Sequence, residues 1–165
     1  MTVPAGHKLG SSVVDRIGNT IRFTPDAWMS LQKEAEAAYP FEGCGLLLGP
    51  LSADKVVSKV VTLKNALREE GRGRFDFSFS PQEFMSAQRA ADQANLDVIG
   101  IYHTHPDHPA RPSKTDEGQP MLSGWINIIA SVHGGKFKEA KAWWRAEDGL
   151  PFTEMSFFNE PKSGA

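Results

Sequence analysis

The chain has 165 residues, the length of one domain with a single covered core. Its 40% hydrophobic and 23% charged content excludes a disordered chain. A net charge of −2, with no basic block or acidic tail, gives no footprint for nucleic acid or a basic partner. Cys44 is the only cysteine, so an intrachain disulfide is excluded; residues Met1 to Ser12 lack a signal-peptide core, no apolar run is long enough to span a bilayer, and a cytoplasmic location is expected.

In chain order, residues 1–18 are expected to be a flexible N-terminal segment, 19–158 one domain and 159–165 a frayed tail. Ile21 to Phe23 reads as a short strand. Thr24-Pro25-Asp26 then starts a helix, with a hydroxyl cap, proline at the first helical position and an acid where the helix dipole favours it. Ala27, Trp28, Leu31, Ala35 and Ala38 form its buried stripe, and Pro40 lies just past its end. Gly45 to Gly49 is a buried strand, and Val56, Val57, Val60 and Val61 give the next segment β character.

Phe75, Phe77 and Phe79 alternate with polar residues and predict one face of a further strand. Ser80-Pro81-Gln82-Glu83 is a capping box that opens a second helix to about Asn95, with Phe84, Ala87, Ala91 and Ala94 inward. Strands follow at Val98 to His103, Trp125 to Val132, Lys141 to Ala146 and Phe152 to Phe158. The result is an α/β (α+β) domain, a mixed sheet flanked by two main helices, with a strand order that these patterns leave open.

The chemistry-bearing segment runs from Gly100 through His103-Thr104-His105-Pro106 to Ser113-Lys114-Thr115-Asp116. Residues two apart on a strand point the same way, so His103 and His105 present two imidazoles on one face. Imidazole nitrogen is a common zinc ligand, and a carboxylate such as Asp116 can complete a set of three, leaving a fourth position open for water whose pKa then falls towards ~7. A thiolate-rich structural zinc site is excluded by the single cysteine. Two polar residues on an exposed strand and a simple Ser-x-x-Asp helix cap fit the same spacing, which also leaves the catalytic base unidentified.

His103-x-His105-Pro106 with Ser113-x-x-Asp116, preceded by Tyr39-Pro40-Phe41-Glu42-Gly43-Cys44-Gly45-Leu46-Leu47, resembles the signature of the JAMM metallopeptidase family, also called MPN-plus or Mov34-like. The resemblance covers roughly residues 20 to 158 and is closest to stand-alone prokaryotic members. Thr104 stands where serine is more usual, a change that should leave the ligand geometry intact. The resemblance implies an MPN/cytidine-deaminase-like fold, Zn2+ held by His103, His105 and Asp116, Glu42 as general acid/base, and Ser113 as donor to the developing oxyanion. It also implies hydrolysis of an amide or isopeptide bond at the C-terminal glycine of a ubiquitin-like or sulfur-carrier protein ending in Gly-Gly. Sulfur-carrier processing is the leading expectation. Removal of ubiquitin-like modifiers from lysine and a non-catalytic MPN scaffold are the alternatives.

Other residues carry blander expectations. Cys44 is expected to be a small buried residue and not a nucleophile. His108 reads as a solvated loop residue and His133 as a turn residue. One of Trp143 and Trp144 should pack inside and the other outside, and residues 65–74 read as a solvated charged loop whose position before the Phe75 strand also allows substrate contact.

Overall fold

The structure is a computed structural model that describes residues 20–50, 55–74 and 76–159. Among the described residues, eight strands and two principal helices follow one another: β1 (Thr20–Phe23), α1 (Pro25–Ala38), β2 (Cys44–Gly49), β3 (Lys55–Val57), β4 (Lys59–Leu63), α2 (Pro81–Gln93), β5 (Asp97–Pro106), β6 (Ile126–His133), β7 (Lys136–Trp144) and β8 (Thr153–Asn159). A single turn of helix, α3 (Lys114–Glu117), lies between β5 and β6. The strands form one mixed sheet in the order β3-β1-β8-β7-β6-β5-β2-β4. Its two outermost strands, β3 and β4, are consecutive in sequence and separated only by Ser58, so the sheet curls until its edges meet there.

Both main helices start where the cap chemistry places them. The Thr24 hydroxyl accepts the Ala27 N–H (3.3 Å) and the Ser80 hydroxyl accepts the Glu83 N–H (3.2 Å). Only half of the expected capping box at Ser80 forms, because the Glu83 carboxylate accepts from the Lys64 backbone N–H instead. One layer of core joins α1, through Ala27, Leu31 and Ala35, to one sheet face that includes Tyr102 and Ile128. On the opposite face, α2 packs through Phe84, Ala87 and Ala91 against Leu46, Ile101 and Trp125. Each strand of the central region is covered on both sides, so β2 is buried throughout and reads as an uninterrupted apolar run.

Several expectations change. Phe75 lies outside the described residues. Residues 76–80 are extended without pairing into a strand, although Phe77 and Phe79 are buried in alternation as expected. The backbone there is claimed by side chains: Phe77 N–H donates to its neighbour Asp76, and Ser78 N–H to Asn65. Ala94 caps α2 and is exposed rather than part of the inner stripe. The valine-rich segment is two strands broken at Ser58, and β7 begins at Lys136 and stops at Trp144. Both tryptophans at the end of β7 are half-buried, Trp143 donating its indole N–H to the Ala110 carbonyl (3.0 Å) and Trp144 packing on the α1 side. His133 ends β6, its Nε2 2.9 Å from the Ser131 hydroxyl. No helix among the described residues is long and apolar enough to cross a membrane.

Candidate metal centre

β5 is the scaffold of the site. It lies between β2 (antiparallel) and β6 (parallel), so its ladder is satisfied on both sides and its terminal residues are held rigidly. Its alternation sends Tyr102 and Thr104 to one face and His103 and His105 to the other. Both histidines are buried, at 0% and 5% exposure. The imidazole of His103 stacks on Phe77, with ring centres 4.6 Å apart and planes at 22°.

Register brings the glutamate to the histidines. Cys44 pairs with His103, and continuing the antiparallel count sets Gly43 against Thr104 and Glu42 against His105. Two bonds close this corner: Thr104 N–H donates to Gly43 O (2.9 Å), and Gly43 N–H donates to the Thr104 hydroxyl (2.7 Å). Gly43 is required for close approach, since a Cβ there would stand 2.8 Å from the Cβ of Ala38. The next residue back is tied from the other side. Glu42 N–H donates to Gly73 O (2.6 Å) and Glu42 O accepts from the Asn65 amide (3.0 Å). Asn65 is buried and also donates to Asp76 O while its oxygen accepts from Leu67 and Ser78. It joins the glutamate turn to the charged loop, a role for which a single asparagine in the sequence gives no signal.

Asp116 arrives on α3. Ser113 caps that turn reciprocally: its hydroxyl accepts Asp116 N–H (3.0 Å), and the Asp116 carboxylate accepts Ser113 N–H (2.9 Å). Arg145, buried at the end of β7, holds the far side of the turn by donating to Glu117 O (2.8 Å), Gln119 O (2.9 Å) and the Ser123 hydroxyl (2.9 Å). Tyr39 donates to the Asp107 carboxylate (2.8 Å), which also accepts Gly134 N–H (2.9 Å), so the segment leading to Glu42 is braced to the loop leaving the histidines.

The structure brings His103, His105, Asp116 and Glu42 together and sets Ser113 in the same cleft as Glu42. His103 Nε2 and His105 Nε2 are 3.2 Å apart, and the Asp116 carboxylate lies 3.2 Å from the first and 3.0 Å from the second. Ligand atoms of Glu42, His103 and His105 all lie within 4.8 Å of one another. A tetrahedral ion with bonds of about 2.0–2.1 Å separates its donors by about 3.3–3.4 Å, so the two imidazoles and Asp116 match such an ion with only slight contraction. His105 Nδ1 lies 2.7 Å from the Pro109 carbonyl, which can only accept, so Nδ1 donates there and Nε2 is the ring nitrogen that faces the site. Glu42 Oε1 and His103 Nδ1 are buried without a hydrogen-bond partner among the described residues. Two carboxylates and two imidazoles converging in so dry a place suit a divalent cation.

The two carboxyl groups differ. Burial, then the nearby Asp116 and Asp76 charges, push Glu42 up to about 9. Burial also pushes Asp116 upward, but His103, the hydrogen bonds from both histidines and the Ser113 N–H outweigh it and hold this carboxyl well below the usual carboxylate range. Cys44 is fully buried and burial pushes its thiol up to about 12, so it has neither the access nor the thiolate of a nucleophile. Beside the histidines opens a cleft of about 290 Å³ lined by Glu42, His105, His108, Arg111 and Ser113 among others.

This arrangement has known counterparts. Residues 25–146 match the family model described as prokaryotic homologs of the JAB domain. A desampylase from Haloferax volcanii is 31% identical over 110 residues, covering 66% of this chain and 76% of the relative. A CysO-cysteine peptidase from Mycobacterium bovis is 33% identical over 82 residues, or 50% of this chain and 53% of that one. The solution structure of a Desulfitobacterium hafniense protein superposes with a TM-score of 0.73 at 26% identity, covering 86% of this chain and 94% of the other. The chain belongs to the prokaryotic JAB family, with the mixed-sheet single-domain fold expected of it, and is a hydrolase of the JAMM type.

Proposed function

We propose that this chain is a zinc-dependent hydrolase of amide or isopeptide bonds at the C-terminal glycine of a ubiquitin-like or sulfur-carrier protein, with sulfur-carrier processing as its main task. The observation that carries the reading is the convergence of His103, His105 and Asp116 on one point with the buried carboxyl of Glu42 beside them. Ligand type favours zinc: two imidazoles and one carboxylate, with room for a non-protein ligand. Bound there, the ion would supply Lewis acidity, making water more acidic and a carbonyl more electrophilic.

The residues of the chain supply the rest. Glu42, as the carboxylate, takes a proton from the attacking water and delivers it to the leaving amine; a cation bound beside it would draw its pKa down from the raised metal-free value towards the working pH. The oxygen of water ends on the glycyl carbon, the C–N bond breaks, and the amine leaves with the proton. The Ser113 hydroxyl already accepts Asp116 N–H, which fixes its oxygen and leaves its own hydrogen to donate to the carbonyl oxygen as negative charge develops, a contribution of about 3 kcal/mol for donors of this kind. The acyl tail, ending in Gly-Gly, is taken up as an extended strand alongside the site.

A second reading, removal of a ubiquitin-like modifier from lysine, is favoured by the name of the Haloferax relative. A scaffold without catalysis is disfavoured because every ligand type and the glutamate are present. The test is stoichiometric metal and cleavage of a carrier–cysteine adduct and a Gly-Gly isopeptide by wild type and Glu42→Gln, before and after chelation. Bound zinc in both proteins, with cleavage only by the metal-loaded wild type, is expected. Cleavage that survives chelation or the loss of Glu42 would overturn the mechanism.

A further inference from the structure

One wall of the cleft is a loop whose backbone is clamped carbonyl by carbonyl. His108 O accepts from the Ser131 hydroxyl (2.5 Å), Pro109 O from His105 Nδ1 (2.7 Å) and Ala110 O from the Trp143 indole (3.0 Å). Three successive carbonyls are therefore tied to β6, β5 and β7 in turn. Ala110 is buried beneath the loop, and Arg111 N–H closes back on Pro109 O (2.9 Å). With Pro109 and Pro112 on either side, the backbone at residue 111 has little freedom left to lose on binding.

The Arg111 side chain is exposed and lines the same cleft as Glu42 and Ser113. Its guanidinium has no ion-pair partner among the described residues, and Glu42 is the one carboxylate lining that cleft. An unneutralised guanidinium carried on a clamped backbone and lining the cleft that holds Glu42 suits a planar anion, which it can grip with two parallel N–H donors.

We propose that Arg111 binds the α-carboxylate of a single amino acid joined through its amine to the carrier's C-terminal glycine, and so selects amino-acid adducts over lysine conjugates. This rests on the hydrolase reading above and names its leaving group. In such an adduct the carboxylate sits one carbon from the scissile nitrogen. A peptide extension presents a neutral amide at that place, and a lysine side chain presents only methylenes. Ser113, two residues along the same loop, meets the carbonyl oxygen while Arg111 meets the carboxylate, so one clamped segment orients both sides of the bond. Arg111 takes part in no bond making or breaking.

The experiment uses a sulfur-carrier protein ending in Gly-Gly, extended by one cysteine, prepared as the free acid and as the carboxamide, together with a Gly-Gly lysine isopeptide. For the zinc-loaded wild type, kcat/KM on the free acid should exceed that on the carboxamide by about 10- to 100-fold, mainly through KM. Arg111→Gln should bring that ratio close to one, and Arg111→Lys, which keeps the charge without the fork, should fall between. Binding of the two adducts to the inactive Glu42→Gln protein, with and without Arg111→Gln, should show the same ratios. A wild-type ratio near one, a ratio that survives Arg111→Gln, or preference for the isopeptide overturns the role of Arg111 and leaves the hydrolase standing. Cleavage of none of the three by the metal-loaded wild type overturns the proposed function, and this inference with it.

Discussion

Glu42→Gln should stabilise the metal-free protein while destroying its activity. The substitution keeps the shape of the side chain and removes an ionisable group that the fold holds in an unfavourable place. In the folded metal-free chain this carboxyl is pushed from its ordinary 4.5 up to about 9 by burial and then by Asp116 and Asp76. Between those values the unfolded chain has released its proton and the folded chain has kept it. The folded state binds more protons, so its stability falls as pH rises through that window. From 4.5 to pH 7 is 2.5 pH units, which at ~1.4 kcal/mol each is a loss of about 3 kcal/mol from this one group. Glutamine carries no such loss. Urea unfolding of chelator-dialysed wild type and variant, followed by tryptophan fluorescence, should give a variant advantage near zero at pH 4, about 3 kcal/mol at pH 7, and more at pH 8.5. Equal midpoints at all three pH values, or a wild type that gains on the variant as pH rises, would refute the reasoning.

Two further outcomes test the frame around the site. Gly43→Ala should cost about 1–3 kcal/mol in denaturant unfolding and reduce cleavage, because the new methyl meets the Ala38 Cβ at 2.8 Å and must displace the Glu42 turn; the double variant with Ala38→Gly should recover both. Cys44, fully buried and with its thiol pushed up to about 12, should resist iodoacetamide at pH 8 in the native protein and react only after denaturation, as mass spectrometry will show; fast native labelling that also stops cleavage would revive a thiol nucleophile.

The parts of the site that follow from local periodicity were legible in the sequence. His103 and His105 share a face because β5 alternates, and Asp116 joins them because Ser113 caps the four-residue turn that carries it, both short-range consequences of residue type. The approach of Glu42 to the histidines depends on the register between β2 and β5, about sixty residues apart in sequence, and only the family resemblance carried it. Asn65 and Arg145 were missed for a related reason. Each works by reaching backbone carbonyls elsewhere in the chain, and a carbonyl leaves no mark on composition or spacing. The alternating phenylalanines misled in the opposite direction: alternation reports a two-sided environment, and at Phe77 and Phe79 that environment exists without a strand ladder because Asp76 and Asn65 take up the backbone donors.

Two buried carboxyl groups facing the same pair of imidazoles could in principle exchange roles as ligand and as proton carrier. The fold separates them by what each is given to bond. Asp116 receives the Ser113 N–H and stands against both Nε2 atoms, so its charged form is the stable one and it is ready to bind a cation without first losing a proton. Among the described residues Glu42 is anchored through its backbone and its Oε1 has no donor, and the Asp116 charge opposes its own. Opposite environments drive the two pKa values apart, and such a split assigns ligation to the member that is already charged and acid/base work to the member that can hold a proton. The asymmetry originates in the backbone. The cap on α3 supplies an N–H to one carboxylate, and the turn fixed by the Thr104–Gly43 clamp leaves Oε1 of the other without a donor among the described residues.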